Sequence, residues 1–415
     1  MSTPPAGFEY RWEANWVSAR LVLATAVADN LVIASDPDAP ASGIYYWEIS
    51  KPWREAVVAA IRTGTDATVR TLGEALLEAP ADPRRYAALH AALLARYGKD
   101  PAVNEILNLA WRAECNSRLG HHLGDRYLDA GEPVTVAELA AYNPGPGLPA
   151  GAKPEAVIVI PFRDRTPGGG DRLRNLLACL LALRDQSFPR GSYQVTVVET
   201  DDRPRWRELI SRFADTYLFA PKPDTFNRSW GVNTGVVNTS GPTEIICIQD
   251  ADVLADRDFV ARNAARFTGP GRMGHHPYRD MLCMDHFSTW RAIRERVADR
   301  RPAGDDSRVR GFTLRRGPGC CVWVRAEAFH RVGGMDERYE GWGGEDIDFN
   351  HRFGMDLAYD CYDDVLLHMR HPASSALRSD GELINAHIPP MSWQPDGPIG
   401  QLDRFAPVET EAAYA

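Results

Sequence analysis

The stretch AVIVIPFRDR, residues 156–165, decides the fold. Its first seven residues form an unbroken apolar run rich in β-branched side chains, with Pro161 near the end. Such a run fits a strand buried on both faces, as in a parallel sheet covered by helices. Charge arrives only where the run stops, at Arg163, Asp164 and Arg165. Two later runs repeat the arrangement. YQVTVVET (193–200) carries Glu199 at its end and leads into Asp201 and Asp202, and TEIICIQDADVL (243–254) ends on Asp250 and Asp252. Between them, RLRNLLACLLALRDQ (172–186) has the spacing of an amphipathic helix, and TFNRSWGVNTGVVNTS (225–240) reads as a loop entering a helix. Strand alternating with helix predicts a doubly wound α/β domain. Its ligand crevice lies at the carboxyl ends of the strands, where the charged residues stand.

The 415-residue chain is 44% hydrophobic and 25% charged with a formal net charge of −9, the balance of a globular protein. That charge argues against nucleic acid as a partner. Seven cysteines, without a C-x-x-C pair, fit a reduced, cytoplasmic interior better than a disulfide or zinc-ribbon framework. The N-terminus lacks a signal-peptide pattern. The longest apolar run, LVLATAVADNLVIA (21–34), is too short to span a bilayer and carries Asp29 and Asn30, so no transmembrane segment is expected.

Residues 54–128 repeat apolar positions at helical spacing. YNPGPGLPAGAKPEA (142–156) then concentrates proline and glycine in a stretch that is neither helix nor central strand. The expected organisation is a mainly helical N-terminal region over 1–150, an α/β domain over 151–375 and a C-terminal extension over 376–415. Trp12, Trp16, Trp47, Trp53 and Trp111 precede the linker and are read mostly as core. The helical region is expected to recognise an acceptor or to mediate self-association.

Asp250 and Asp252 stand two apart at a strand end, where alternation points both carboxylates the same way. Same-facing carboxylates repel unless a cation or proton lies between them. Hard oxygen donors suit Mg2+ or Mn2+ completed by phosphates. A solvated turn carrying two acids is the bland alternative. LLHMRHP (366–372) offers His368 and His371, and imidazole beside carboxylate shifts the preference toward Mn2+. His275 and His276 are weaker candidates. Arg163 and Arg165 suit a diphosphate, Phe226 a base and Arg228 a phosphate, although Phe226 and Asn227 also suit a helix start.

GWGGEDIDF (341–349) gathers Trp342, Gly343, Gly344, Glu345, Asp346 and Asp348. Acids in a first helical turn are favoured by the helix dipole, which accounts for the charge alone. It leaves the tryptophan and the glycine pair unexplained. Glycines at a helix start let a ligand approach the backbone, a Trp face suits a sugar ring, and an acid there can act as general base.

Together these segments resemble the GT-A glycosyltransferases, in particular the inverting β-1,4-galactosyltransferases (family 7) and the related family 2 enzymes. The resemblance covers roughly residues 155–372. VIVIPFRDR is similar to the family's first strand and nucleotide loop, TFNRSWGVNTG to its donor segment, QDADV to its metal motif and EGWGGEDID to its acceptor and catalytic segment. It implies a GT-A fold and a metal-dependent inverting glycosyltransferase that moves a sugar from a UDP-sugar donor to an acceptor hydroxyl. Residue by residue, it implies Asp346 as catalytic base with Glu345, and Trp342, Gly343, Gly344 and Glu345 at the acceptor. Pro161, Arg163, Arg165, Glu199, Phe226, Arg228 and Asp250 fall at the donor. Asp252, with Asp250 beside it and His368 or His371, falls at Mn2+ or Mg2+. The chain departs from the family at Glu340, where a second tryptophan is usual, and at GPGCC (317–321). A retaining transferase of the polypeptide N-acetylgalactosaminyl type, a sugar nucleotidyltransferase, a glycosidase and a sugar-binding module are the competing readings.

Overall fold

The computed structural model describes residues 12–406 except 43, 240–242, 270, 358, 373–376 and 380. It divides into two units: the residues up to Asp125 with Arg310–Arg315, and Arg126–Val309 with the residues from Arg316 onward. The division precedes the Pro/Gly-rich stretch at 142–156, because residues 126–150 are held by the second unit. Arg126 N–H donates to Ser307 O at 2.8 Å, Arg212 Nη2 to Ala140 O at 3.0 Å and Arg184 Nη1 to Pro146 O at 2.9 Å.

The first unit is helical over Trp12–Ser35, Asp38–Ser42, Ile44–Thr63, Ala67–Glu78, Pro83–Arg96 and Pro101–Asn116, with Leu119–Leu123 paired antiparallel to Arg310–Arg315. Asp66, Asp82 and Asp100 cap three of the helices with their carboxylates, two of them ahead of a proline in the first turn. Its core is built from alanine, valine and leucine, including Val27, Leu31, Leu93 and Leu107. Trp47, Trp53 and Trp111 are not its centre. Trp53 is 40% exposed and Trp111 50%, while Trp47 is partly buried with its indole N–H on Ile33 O at 3.1 Å. The side chains of Trp12 and Trp16 lie outside the described residues.

In the second unit the three apolar runs are strands of one seven-stranded sheet. Its members are β1 (Ala156–Phe162), β2 (Tyr193–Asp201), β3 (Thr216–Pro221), β4 (Ile245–Gln249), β5 (Gly274–His276), β6 (Cys321–Arg325) and β7 (Tyr359–Cys361), in spatial order β7-β5-β6-β4-β1-β2-β3. β6 is antiparallel to β4 and β5, and the other neighbours are parallel. Pro161 is tolerated within β1 because the ladder with β4 stops at Val159. The chain winds from β1 outward through β2 and β3, then returns to β4 on the other side of β1. The carboxyl ends of β1 and β4 therefore flank the reversal point where ligands of such sheets bind.

Helix α1 (Asp171–Arg184) is buried from Leu173 to Leu183 rather than amphipathic. Arg174 and Asn175 are buried because both reach the carbonyl of Arg370, at 2.8 and 3.1 Å. Helix α2 (Arg228–Val237) starts at Asn227, whose side chain accepts from Trp230 N–H. Helix α3 (Glu345–Asp356) starts at Gly344, which has φ 101°. No described helix is long and apolar enough to cross a membrane.

Candidate active site

Asp250 and Asp252 lie just past β4, and two neighbours fix this turn. Asp250 N–H donates to Cys320 O at 2.8 Å, a consequence of β6 running antiparallel beside β4 with Gln249 opposite Cys321. On the other side Leu254 N–H donates to Leu367 O and Met369 N–H to Asp252 O, at 3.0 and 2.8 Å. The strand Leu366–His368 is thereby stitched along the turn, which places the late histidines against Asp252. His368 Nε2 is 3.2 Å from Asp252 Oδ1 and His371 Nε2 is 3.0 Å from Oδ2. Burial alone would raise the Asp252 carboxyl, but the two imidazoles hold it well below the usual carboxylate range.

Asp250 turns elsewhere, toward Arg228. The Arg228 guanidinium grips Asp250 Oδ1 through Nε and Nη2, at 2.8 and 2.7 Å, and donates from Nη1 to Asp346 Oδ1 at 2.6 Å. Asp250 and Asp346, distant in sequence, thus share one buried cation. Burial works against that charge, yet Asp250, Asp346 and Glu345 together hold Arg228 firmly protonated.

Asp346 reaches this point from the first turn of α3. Gly344 makes the entry possible twice over: its φ lies in the left-handed region, and a Cβ there would come within 2.7 Å of the Tyr339 ring. Gly319, before β6, leaves the space that the Asp346 carboxylate fills. Burial pushes Asp346 up to about 8, with Arg228 pulling down and Glu345 and Asp250 pushing up. Helix N–H groups and the Arg228 cation favour the ionised carboxylate, and desolvation opposes them. Glu345 is buried and also raised by desolvation, and its Oε2 accepts from Gly343 N–H at 3.1 Å. Asp348 faces away. Its oxygens accept from Arg352 Nε at 2.7 Å and Met391 N–H at 2.8 Å. Trp342 stands 36% exposed on the loop ahead of α3. Asn385 holds that loop, donating to Glu340 O and Gly343 O at 3.0 and 2.8 Å. Glu340, where the resembled family has tryptophan, pairs with Lys222 at 2.7 Å.

Several residues expected at the donor are engaged with protein instead. Arg163 donates to the carbonyls of Thr200, Lys222 and Asp224 and lies over the Phe226 ring. Arg165 pairs with Asp201 and donates to Pro223 O, both at 2.7 Å. Glu199 is fully buried and accepts from Arg205 N–H, Trp206 N–H and Tyr217 OH. Pro161 packs on helix α2, 3.1 Å from the position a Cβ on Gly231 would take. His275 and His276 are buried in β5 on Asn263 and Cys321 O.

Cys320 joins the histidine side of the site without having been expected there. Ligand atoms of Asp252, Cys320 and His368 all lie within 4.8 Å of one another, a group able to hold a metal ion. Asp252 Oδ1 is buried in this group, 3.2 Å from His368 Nε2. The sequence signal was the Cys320–Cys321 pair ahead of an apolar run. Its place opposite the aspartates follows only from the antiparallel strand.

Comparison with known proteins bears on the same segment. Residues 312–356, from within the strand Arg310–Arg315 through β6, Trp342 and Asp346 to the end of α3, match the family model described as the N-terminal domain of galactosyltransferase. No curated protein sequence matches the chain. Among solved structures, a mannosyltransferase from Pyrobaculum calidifontis, in complex with GDP-Man and Mn2+, aligns at 16% identity and TM-score 0.36. It covers 56% of this chain, which spans 62% of that one. Drosophila β1,4-galactosyltransferase 7, in complex with xylobiose, aligns at 18% identity and TM-score 0.31 over 58% of this chain and 76% of its own. The glycosyltransferase resemblance read from the sequence is thus met by a family match on the segment that carries Asp346.

Proposed function

We propose that the chain is a metal-dependent inverting glycosyltransferase, moving a sugar from a UDP-sugar to an acceptor hydroxyl. The observation that carries this is the Arg228 bridge, which brings the strand-end acid Asp250 and the α3 acid Asp346 to one point. The galactosyltransferase match over residues 312–356 supports assigning that point to sugar transfer.

In this reading Asp252, His368 and His371 hold the metal, and their mixed nitrogen and oxygen donors favour Mn2+ over Mg2+. The bound ion would supply charge stabilisation to the leaving diphosphate. Arg228 orients Asp346 and adds positive charge beside the donor. Asp346 takes the acceptor hydroxyl's proton, and a carboxyl raised toward neutrality is well matched to that task. Trp342 offers a face to the acceptor sugar, and Glu345 and the Gly343–Gly344 turn set its loop.

The nucleotidyltransferase reading is disfavoured at Gly168–Gly170. A phosphate cradle needs open backbone N–H groups at a helix start, and here Asp164 takes those of Gly170 and Leu173, each at 2.9 Å. The test is a panel of nucleotide sugars scored for Mn2+-dependent thermal stabilisation and turnover, with product stereochemistry read by NMR. Undiminished binding and turnover in metal-stripped protein would overturn the proposal, and retention at the anomeric carbon would replace inversion with the polypeptide-transferase alternative.

A further inference from the structure

Three features meet at Cys320. Its sulfur lies within 4.8 Å of ligand atoms on both Asp252 and His368. Asp252, only 8% exposed, faces this cluster with its Oδ1 3.2 Å from His368 Nε2. A second soft atom, Met281 Sδ, is 3.0 Å from Cys320 Sγ. At the tetrahedral angle usual for zinc, a sulfur and a nitrogen donor to one ion stand about 3.6 Å apart. The cluster therefore needs to close by on the order of 1 Å to share an ion. The backbone agrees that this side chain is kept for a reason. Cys320 has φ 68°, in the left-handed region that favours glycine.

We infer that Cys320 is a thiolate ligand of the metal, which turns the hard oxygen and imidazole site of the proposed function into one selective for thiophilic divalent ions. Binding replaces the S–H bond with a metal–sulfur bond and releases the proton to solvent, with no change of oxidation state. Thiolate donors select Zn2+ and its soft analogues, whereas oxygen donors suit Mg2+ and Mn2+. Zn2+ and Cd2+ therefore compete with Mn2+ far more effectively here than at a site of carboxylate and imidazole alone. The inference rests on the metal reading above and adds a donor that the aspartates and histidines do not imply.

The test substitutes Co2+ and follows its absorption in the intact protein. Thiolate ligation adds a charge-transfer band in the near ultraviolet, while visible d–d bands report any bound Co2+. We expect the ultraviolet band in wild type and in Cys283→Ser, the latter a control for the cysteine that pairs with His368 across the strands. The band should be lost in Cys320→Ser and in Cys320→Gly with the d–d bands retained. Glycine accepts the φ of this position, so Cys320→Gly should melt no lower than wild type, which separates lost ligation from lost folding. Zn2+ should displace Mn2+, followed by EPR, less readily from Cys320→Gly than from wild type. Co2+ bound without the ultraviolet band, or a band that survives Cys320→Gly, overturns the cysteine assignment and leaves the metal site standing. Absence of both Co2+ and Mn2+ uptake in wild type overturns the two together.

Discussion

Asp346 lies so close over Gly319 that a Cβ on the glycine would be driven into its carboxylate, with Cγ only 2.9 Å away. The space for the proposed base is thus made by a residue 27 positions earlier, on the far side of β6. Gly319→Ala should displace the carboxylate while leaving Asp252 and the histidines in place. A shift of about 1 Å in a reacting group can cost about a hundredfold, so single-turnover rate should fall on that scale with Mn2+-dependent nucleotide affinity near wild type. Equal losses in both measurements would point to a collapsed site instead.

Asp346→Asn and Asp348→Asn should separate chemistry from scaffold, although they stand in one helical turn. The first removes the base, and turnover should drop by roughly a hundredfold or more while donor binding survives. The second weakens two buried hydrogen bonds, to Arg352 and to Met391 N–H. It should cost about 1–3 kcal/mol of stability with turnover per folded molecule unchanged. Thermal melts and single-turnover rates on both variants check this. Matching stability losses with wild-type rates would mean that the acids serve only the helix.

The pH profile follows from the raised Asp346 carboxyl. A general base works deprotonated, so the rate should rise with pH through the group's own value, about 8 in the free protein. A bound cation beside Arg228 pulls that value down, so the limb should lie at or below about 8 at saturating Mn2+. It should vanish in Asp346→Asn. A limb of opposite sign would assign the carboxyl an acid role.

EDTA should abolish turnover and Mn2+ should restore it. Both histidines reach Asp252, but only His368 also belongs to the cluster with Cys320. His368→Ala should therefore weaken metal affinity more than His371→Ala, as measured by Mn2+ titration. The reverse order would exchange their roles.

β1, β2 and β4 were legible because they are buried on both faces and their sequences are correspondingly continuous. β3, TYLFAP, escaped notice because it lies at the sheet's edge, with five of its six residues only partly buried. The two charge clusters were legible as residue types, but their pairing was not. Arg163 and Glu199 look like ligand-binding residues at strand ends, yet backbone groups of the surrounding loops take up their polar atoms. Arg228 looked like one phosphate contact among several, and only the fold reveals that Asp250 and Asp346 converge on it. Cys320 was hidden for the same reason, since an antiparallel neighbour cannot be read from either strand alone.

The hold of Asn385 on Glu340 and Gly343 sets a limit on how this enzyme can be trimmed or recombined. The resemblance to galactosyltransferases stops near residue 372, and a fragment drawn to that border would omit Asn385 and Met391. It would also omit Gly400 and Arg404, which both bond the buried Glu337 at 2.7 Å. The portable unit is therefore bounded by these hydrogen bonds rather than by homology. A loop grafted here from a relative would arrive without the tail that latches it, and its conformation would not travel unless the two segments were exchanged as a pair.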